Sequence, residues 1–444
     1  MDKNPGCQCK LFQFVNTRHP EKAHSNCSKV AAEHEGRGFF ITPNEAAKAT
    51  NRLLDYIRAA DHAGYDPYDA LNSPILRALS FKNKWARVAL IQFFRRSPVN
   101  LRAVFGIKPG HNPKGIGLFL WGYTKLYALE RRAEYLETIK CLLDLLEKLK
   151  SRGYSGNCWG YNFDWQSRGS LLPKFTPTVV NSSFIGHALI DTYRCTGIQR
   201  ALDMAVSIKD FILNDLNRYE ENGAQCFSYT PIDGSKVHNA NMLGVSLLIR
   251  IHGILGEERL KQEALAALAY SIRYQQGDGS WYYGEADYQK WIDSFHTGFN
   301  LQALRYFLDE GYEEYRLAFD KGVEYYAENF FLEDGTPKYY HDRLYPIDIH
   351  SPAQAICFFS RQGQEYQNIT DKIVRWMLTN MCSNDGYFYF RKGRFVTNKI
   401  PYMRWSQAWA FHALTEYLCA KHKEAKAHTT HDVTLVHSPF KRSG

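Results

Sequence analysis

The fold can be read outward from residues 278–307, which have the sequence DGSWYYGEADYQKWIDSFHTGFNLQALRYF. This stretch begins with an Asp-Gly turn, continues through aromatic residues and an irregular segment, and ends in an apolar helix. A small residue, Gly298, stands near the start of that helix. Asp-Gly suits a tight turn because glycine tolerates positive φ. The same order of features recurs along most of the chain, which predicts a repeat architecture.

The repeat is marked by a turn glycine and by a small residue in each apolar helix. The turn glycines stand 51 to 67 residues apart, at Gly156, Gly223, Gly279, Gly335 and Gly386. The small residues of the last five apolar helices stand 54 to 58 residues apart, at Gly186, Gly244, Gly298, Ala353 and Ala408; Gly117 precedes them. These helices are predicted at 116–129, 183–193, 242–252, 295–307, 353–359 and 406–418, and their nearly uniform apolarity indicates burial.

Charged helices with one apolar face alternate with the buried ones. They are predicted at 44–62, 131–150, 200–217, 257–274, 313–329 and 366–379. Six buried and six amphipathic helices predict an all-α (α/α)6 toroid, with six inner and six outer helices and short aromatic turns at one rim. An open solenoid of stacked pairs is the alternative. We assign 44–425 to the toroid, 1–43 to an N-terminal tail and 426–444 to a C-terminal tail.

The composition excludes several classes of protein. The net charge is +9, but the basic residues are dispersed, so no nucleic-acid-binding arm is predicted. Apolar runs stay below the roughly 18 residues that a membrane span needs. No leader sequence is visible, so we expect a cytoplasmic protein with reduced thiols. Five N-terminal residues could in principle bind zinc: Cys7, Cys9, His19, His24 and Cys27. Their spacing matches no common zinc site, so neither a metal nor a cofactor is predicted.

Polar residues gather where the inner helices begin. Asp293 and His296 occupy this level in one repeat, and Asp348 and His350 occupy it in the next. We predict that these four side chains are catalytic, with the carboxylates as an acid/base or nucleophile pair. Substrate-binding roles are predicted for Asp66, Asp69, His238, Asn239, Trp281, Tyr283, Tyr340, Arg404 and Trp405. Helix capping is the competing explanation, because Asp and Asn are preferred N-caps.

These features are similar to those of a known group of proteins. The alternating inner and outer helices, the aromatic turns and the polar helix starts resemble the α/α toroids of the six-hairpin glycosidase and squalene-cyclase-like superfamilies. The loop 64–74, the segment 95–101 and the stretch 112–115 resemble VpsJ-like proteins of bacterial exopolysaccharide and lipopolysaccharide clusters. The resemblance implies a setting in surface polysaccharide biosynthesis, but it implies no particular reaction. A terpenoid cyclase is disfavoured because no Asp-x-Asp-Asp motif is present.

Two functions remain open at this point. The first is a carbohydrate-active enzyme, a hydrolase, lyase or epimerase, that acts on an oligo- or polysaccharide in the toroid cavity; an acidic polymer is among the candidates. The second is a non-catalytic sugar-binding or scaffolding toroid. We expect the widest cavity at the inner-helix N-terminal rim, beside Trp281 and Tyr283. The sequence leaves the oligomeric state undetermined.

Overall fold

A computed structural model describes residues 41–435 of the chain. The N-terminal Cys and His residues lie outside this range. Within it, the secondary structure is mainly helical, with seven short β-strands. The last helix runs to Leu435 and so extends into the segment 426–444 that was assigned to a tail. In the described range, no helix combines the length and the apolarity needed to cross a bilayer.

Six inner helices form a closed ring. They are α4 (Pro113–Glu130), α6 (Val179–Thr196), α9 (His238–Leu255), α11 (Ser294–Asp309), α13 (His350–Phe359) and α15 (Trp409–Leu435), which continues from a π-helical turn at Met403–Ala408. Each packs on the next, and α15 packs on α4. The contact between the last and the first inner helix excludes an open solenoid and confirms the predicted toroid.

The outer layer follows the same order. It consists of α1 (Pro43–Ala59), α5 (Ala133–Leu149), the pair α7 (Gln199–Val206) and α8 (Ile208–Asn214), α10 (Glu258–Arg273), α12 (Arg316–Phe330) and α14 (Gln367–Met381). Five of these units pack on the inner helix that precedes them, while α1 packs on α15. The first outer helix therefore completes the last repeat.

The small residues allow the inner helices to approach one another closely. A Cβ added at Gly117 of α4 would come within 2.7 Å of Ile185 on α6. A Cβ added at Gly298 of α11 would come within 2.7 Å of Gln354 on α13. Since real Cβ atoms do not approach other heavy atoms so closely, these glycines set the spacing of the ring.

Main-chain hydrogen bonds tie each inner-helix start to the aromatic turn of the next repeat. The amide of His238 donates to the carbonyl of Tyr283 at 3.1 Å, and that of Ser294 donates to Tyr339 at 2.9 Å. Further bonds of this kind join Val179 to Tyr229, Ile349 to Phe390, and Met403 to Tyr65. The last of these joins the C-terminal repeat to the N-terminal loop.

Seven short strands accompany the helices. They are β1 (Trp165–Gln166), β2 (Leu171–Leu172), β3 (Arg218–Glu221), β4 (Ala224–Phe227), β5 (Ile347–Asp348), β6 (Arg391–Lys392) and β7 (Thr397–Asn398). Strand β1 pairs with β2, β3 with β4, and β6 with both β5 and β7, all antiparallel. Most of the aromatic turns predicted from Gly-aromatic sequences thus become short hairpins or isolated bridges.

An insertion between α1 and α4 forms a small helical unit of its own. It contains α2 (Pro74–Leu79) and α3 (Lys84–Arg96), which share a minor apolar core with residues such as Leu76, Ile91 and Phe94. Arg102 anchors the insertion through the Asp69 carboxylate, 2.7 Å from its Nε. This unit lies beside the rim where the inner helices begin, because Arg95 covers the ring of Tyr68, which itself packs on Trp405.

A layer of largely buried polar side chains fills the ring near its other end, five from the inner helices and one, Arg361, from just after α13. Its members pair between neighbouring helices: Lys125 with Glu416, Asp191 with Arg250, and Tyr306 with Arg361. The Arg250 guanidinium also lies 4.6 Å from the centre of the Tyr306 ring. Buried charges need such partners, so this layer constrains the register of all six helices.

Candidate functional site

A carboxylate–imidazole dyad stands at the start of α11. Asp293 caps the helix, accepting a hydrogen bond from the amide of His296 at 2.9 Å. Its second oxygen lies 2.7 Å from Nδ1 of the same histidine. Because an ionised carboxylate can only accept, Nδ1 carries the proton and Nε2 presents a lone pair. One residue therefore serves both the cap and the orientation of the imidazole.

An aromatic platform lies beside this dyad. The rings of Tyr283 and Trp291 stack with centroids 4.3 Å apart and planes 9° from parallel. The imidazole of His296 lies 4.7 Å from the first ring and 5.5 Å from the second. Together with Trp281 they line a small pocket, which also receives the polar side chains of Asn239, Thr297 and Asn300. Aromatic faces next to polar groups suit a sugar ring.

The second predicted histidine lies on the other side of one phenylalanine. The ring of Phe295 contacts His296 at 4.2 Å and stacks on His350 at 4.4 Å, with planes 4° apart. Neither ring nitrogen of His350 has a hydrogen-bond partner among the described residues. Burial, reinforced by the Lys114 ammonium, holds the pKa of His350 well below its usual range. This imidazole is therefore held in its neutral form.

A lysine that the sequence analysis overlooked lies at the centre of the ring. The Nζ of Lys114 stands 4.1 Å from the ring centre of Phe184 and 5.4 Å from those of Phe299 and Trp409. No carboxylate pairs with it in the described part of the chain. Burial, with the Arg404 guanidinium nearby, holds the pKa of Lys114 well below its usual range. The sequence indicated this lysine through its position, since Lys114 stands two residues after Asn112, the N-cap of the inner helix α4.

The carboxylate of Asp348 is occupied by structural partners. One oxygen accepts from Arg391 at 2.7 and 3.1 Å, and the other accepts from the indole of Trp405 at 2.7 Å and from the His350 amide at 3.1 Å. The side chain is fully buried, and its partners differ from those of Asp293. The structure therefore gives the two aspartates different partners: Asp348 is held by Arg391 and Trp405, whereas Asp293 orients a histidine. The catalytic role of the pair stays a prediction.

The two aspartates of the N-terminal loop are paired as well. Arg404 donates two hydrogen bonds to Asp66, at 2.6 and 2.9 Å. Asp69 accepts from Arg102, and burial raises its pKa to about 6. Asp66, Asp69 and Arg404 line a second cavity at the same rim. Cavities at this rim thus lie both beside Trp281 and Tyr283 and beside the N-terminal loop.

The remaining predicted residues divide between the site and its surroundings. His238 faces the outer layer, where its ring lies 5.1 Å from that of Tyr274, and burial lowers its pKa to about 4. Trp281 is a core residue whose indole donates to the carbonyl of Ser271 at 3.0 Å. Tyr340 meets the edge of Trp291 at 6.2 Å, on the rim of the platform. His238 is therefore not placed at the central opening.

Comparison with solved structures identifies the architecture. A family 76 glycoside hydrolase, an α-mannanase from Bacteroides thetaiotaomicron, matches 71% of this chain and 87% of its own, with a TM-score of 0.53 and 12% identity. This likeness shows the (α/α)6 toroid fold. A cellobiose 2-epimerase from Bacillus thermoamylovorans matches 69% of this chain and 87% of its own, with a TM-score of 0.53 and 13% identity. An unsaturated glucuronyl hydrolase from Streptococcus agalactiae matches 87% of this chain and 93% of its own, with a TM-score of 0.54 and 12% identity.

Sequence comparison adds no closer relative. No protein-family model matches the chain, and no curated protein matches it in sequence. At 10 to 13% identity, the structural matches establish the toroid and leave the reaction open. The squalene-cyclase-like and VpsJ-like resemblances stay predictions.

Proposed function

We propose that the protein is a carbohydrate-active enzyme that transfers protons at a sugar bound beside the Asp293–His296 dyad. The observation that carries the proposal is this dyad, since the geometry aims a basic Nε2 at the space beside two stacked aromatic rings. An inert cap has no need of a side-chain bond to an imidazole. A mannanase, a cellobiose 2-epimerase and an unsaturated glucuronyl hydrolase share the fold and support a carbohydrate substrate.

The geometry favours proton transfer at carbon over hydrolysis by two carboxylates. Such hydrolysis requires two carboxyl groups facing the glycosidic bond. Here Asp348 is occupied by Arg391 and Trp405, whereas Asp293 orients the imidazole of His296. The neutral imidazole can abstract a proton next to a carbonyl or carboxylate and, once protonated, can return it to the intermediate or to a leaving group. Epimerisation and β-elimination both begin with this abstraction.

Other side chains have supporting roles in this mechanism. The Lys114 amine lies at the centre of the ring, where it can donate a hydrogen bond to an oxygen that gains negative charge. The unpaired amide oxygens of Asn239 and Asn300 can accept from sugar hydroxyls. We place this activity in surface polysaccharide biosynthesis, on the basis of the VpsJ-like resemblance.

The test is to incubate the purified protein with a panel of neutral and uronate-containing oligosaccharides. Products are followed as epimers by chromatography, as unsaturated sugars by absorbance, and as new reducing ends. We expect epimers or unsaturated products that the His296→Gln variant forms at least about 100-fold more slowly, the lower range of a lost acid–base group. Tight sugar binding without any product would instead favour the non-catalytic binding toroid.

A further inference from the structure

The helical insertion carries an exposed apolar surface that the site does not use. On α2, Ile75 and Leu79 are 53% and 54% exposed, and in the turn that follows Phe81 is 85% exposed. On α3, Trp85 and Phe93 are 63% and 56% exposed, one above the other along the same side of the helix. The opposite side of α3 is buried through Ile91 and Phe94. We call the five exposed side chains the apolar face.

The charged residues of the segment that forms α2 and α3 have one sign. Residues 74–101 contain six Lys and Arg and no Asp or Glu. Lys82, Lys84 and Arg96 are exposed next to the apolar side chains. A typical surface mixes both signs, so a stretch of this length without acid indicates a partner that carries negative charge.

A second element continues the same surface. The hairpin of β6 and β7 exposes Phe395 at 88% and Val396 at 60%, and Arg394 lies beside them. Its last strand is tied to the insertion, because the Asn398 amide donates to the carbonyl of Ser97 at 2.8 Å. Two separate parts of the chain therefore present exposed apolar tips among basic side chains on one side of the toroid.

We propose that this surface binds the interface of an anionic lipid bilayer. Aromatic and aliphatic tips that enter the headgroup region, flanked by lysine and arginine, are the features by which a protein without a membrane span attaches to a membrane surface. A soluble acidic polymer would be held by the basic residues, but it would not require five large apolar side chains in water. The surface adjoins the rim that holds the candidate site, so binding would bring this rim close to the membrane.

The experiment uses the full chain and two kinds of vesicle, phosphatidylcholine alone and phosphatidylcholine mixed equally with phosphatidylglycerol. Co-sedimentation is expected with the mixed vesicles and not with the neutral ones. The variant Phe81→Ser/Trp85→Ser and the variant Lys82→Glu/Lys84→Glu should each bind at least about tenfold more weakly. A matched control, Leu317→Ser/Lys148→Glu, changes an exposed apolar and an exposed basic residue on outer helices and should bind like the wild type.

Folding is checked by thermal melting, which should be unchanged because all the replaced side chains are exposed. The proposal is overturned if the apolar variant binds mixed vesicles like the wild type. It is also overturned if heparin in solution is bound as tightly as the vesicles and only the charge variant weakens either interaction, since the surface would then bind polyanions. Concentration-dependent dimerisation that the apolar variant abolishes would overturn it in favour of a self-association surface. None of these measurements depends on catalysis.

Discussion

Replacing Asp293 by Asn separates the two roles of this residue. The amide oxygen still accepts from the His296 backbone, so the helix cap is kept. The amide nitrogen, however, donates to Nδ1, which forces the proton of the imidazole onto Nε2. The lone pair that faces the platform is then lost. We expect kcat/KM to fall by about a thousandfold, within the range that a misplaced general base costs.

The stability cost of the same change should be small. A buried charge-assisted hydrogen bond of 2.7 Å becomes a neutral one, which costs about 1 kcal/mol of unfolding free energy. Asp293→Ala also removes the cap and leaves the Nδ1–H group without a partner, so its cost should be about 3 kcal/mol. Urea unfolding measures both values. Nitrogen NMR shifts of His296 report the tautomer without any substrate.

A control variant comes from the second predicted aspartate. Asp348→Asn weakens the buried pairs with Arg391 and Trp405, so it should cost about 3 kcal/mol or more. Because Asp348 orients no imidazole, the folded fraction should keep most of its activity. The reasoning is refuted if Asp293→Asn shows the Nε2–H tautomer and retains wild-type activity, or if Asp348→Asn inactivates a fully folded protein.

Three further outcomes are expected. Trp291→Ala removes half of the platform and should raise KM about tenfold with a smaller change in kcat, measured by steady-state kinetics. Glu416→Ala leaves Lys125 unpaired in the buried polar layer and should cost about 3 kcal/mol in urea unfolding. Burial lowers the pKa of His412 to about 4 from 6.5, so the unfolded chain takes up the proton first and stability falls as the pH drops through this window. Between pH 7 and pH 5 this group lowers the unfolding free energy by about 2 kcal/mol. Unfolding curves at the two pH values should therefore show a drop in stability that is smaller by this amount in the His412→Gln variant.

The toroid could be predicted because its signals are local and repeated. The regular spacing of Gly298 and its equivalents indicates where neighbouring inner helices pack closely, and the Asp-Gly turns indicate where the hairpins lie. Part of the buried polar layer obeys the same spacing, because Lys125, Tyr306, Arg361 and Glu416 each stand eight residues after the small residue of their repeat. It could have been found by extending the repeat about two helix turns further. The α2–α3 insertion breaks the repeat and therefore gave no comparable signal.

The site was predictable only in part. Repeat symmetry placed Asp293 and Asp348 at the same level, but it carried no information about side-chain partners. The partner of Asp348 is Arg391, which lies on a hairpin 43 residues further along the chain. Likewise, Lys114 sits in its aromatic cage only because three other helices bring their rings to the centre. Such contacts depend on the tertiary structure.

The most direct test of the central claim is a crystal structure of the His296→Gln variant with a substrate oligosaccharide trapped in place. The account predicts a sugar ring stacked on Trp291 and Tyr283. A carbon-bound hydrogen should face the position of the missing Nε2, at the short distance that proton transfer requires. A sugar bound instead in the cavity beside Asp66 and Arg404, with the platform empty, would contradict the account.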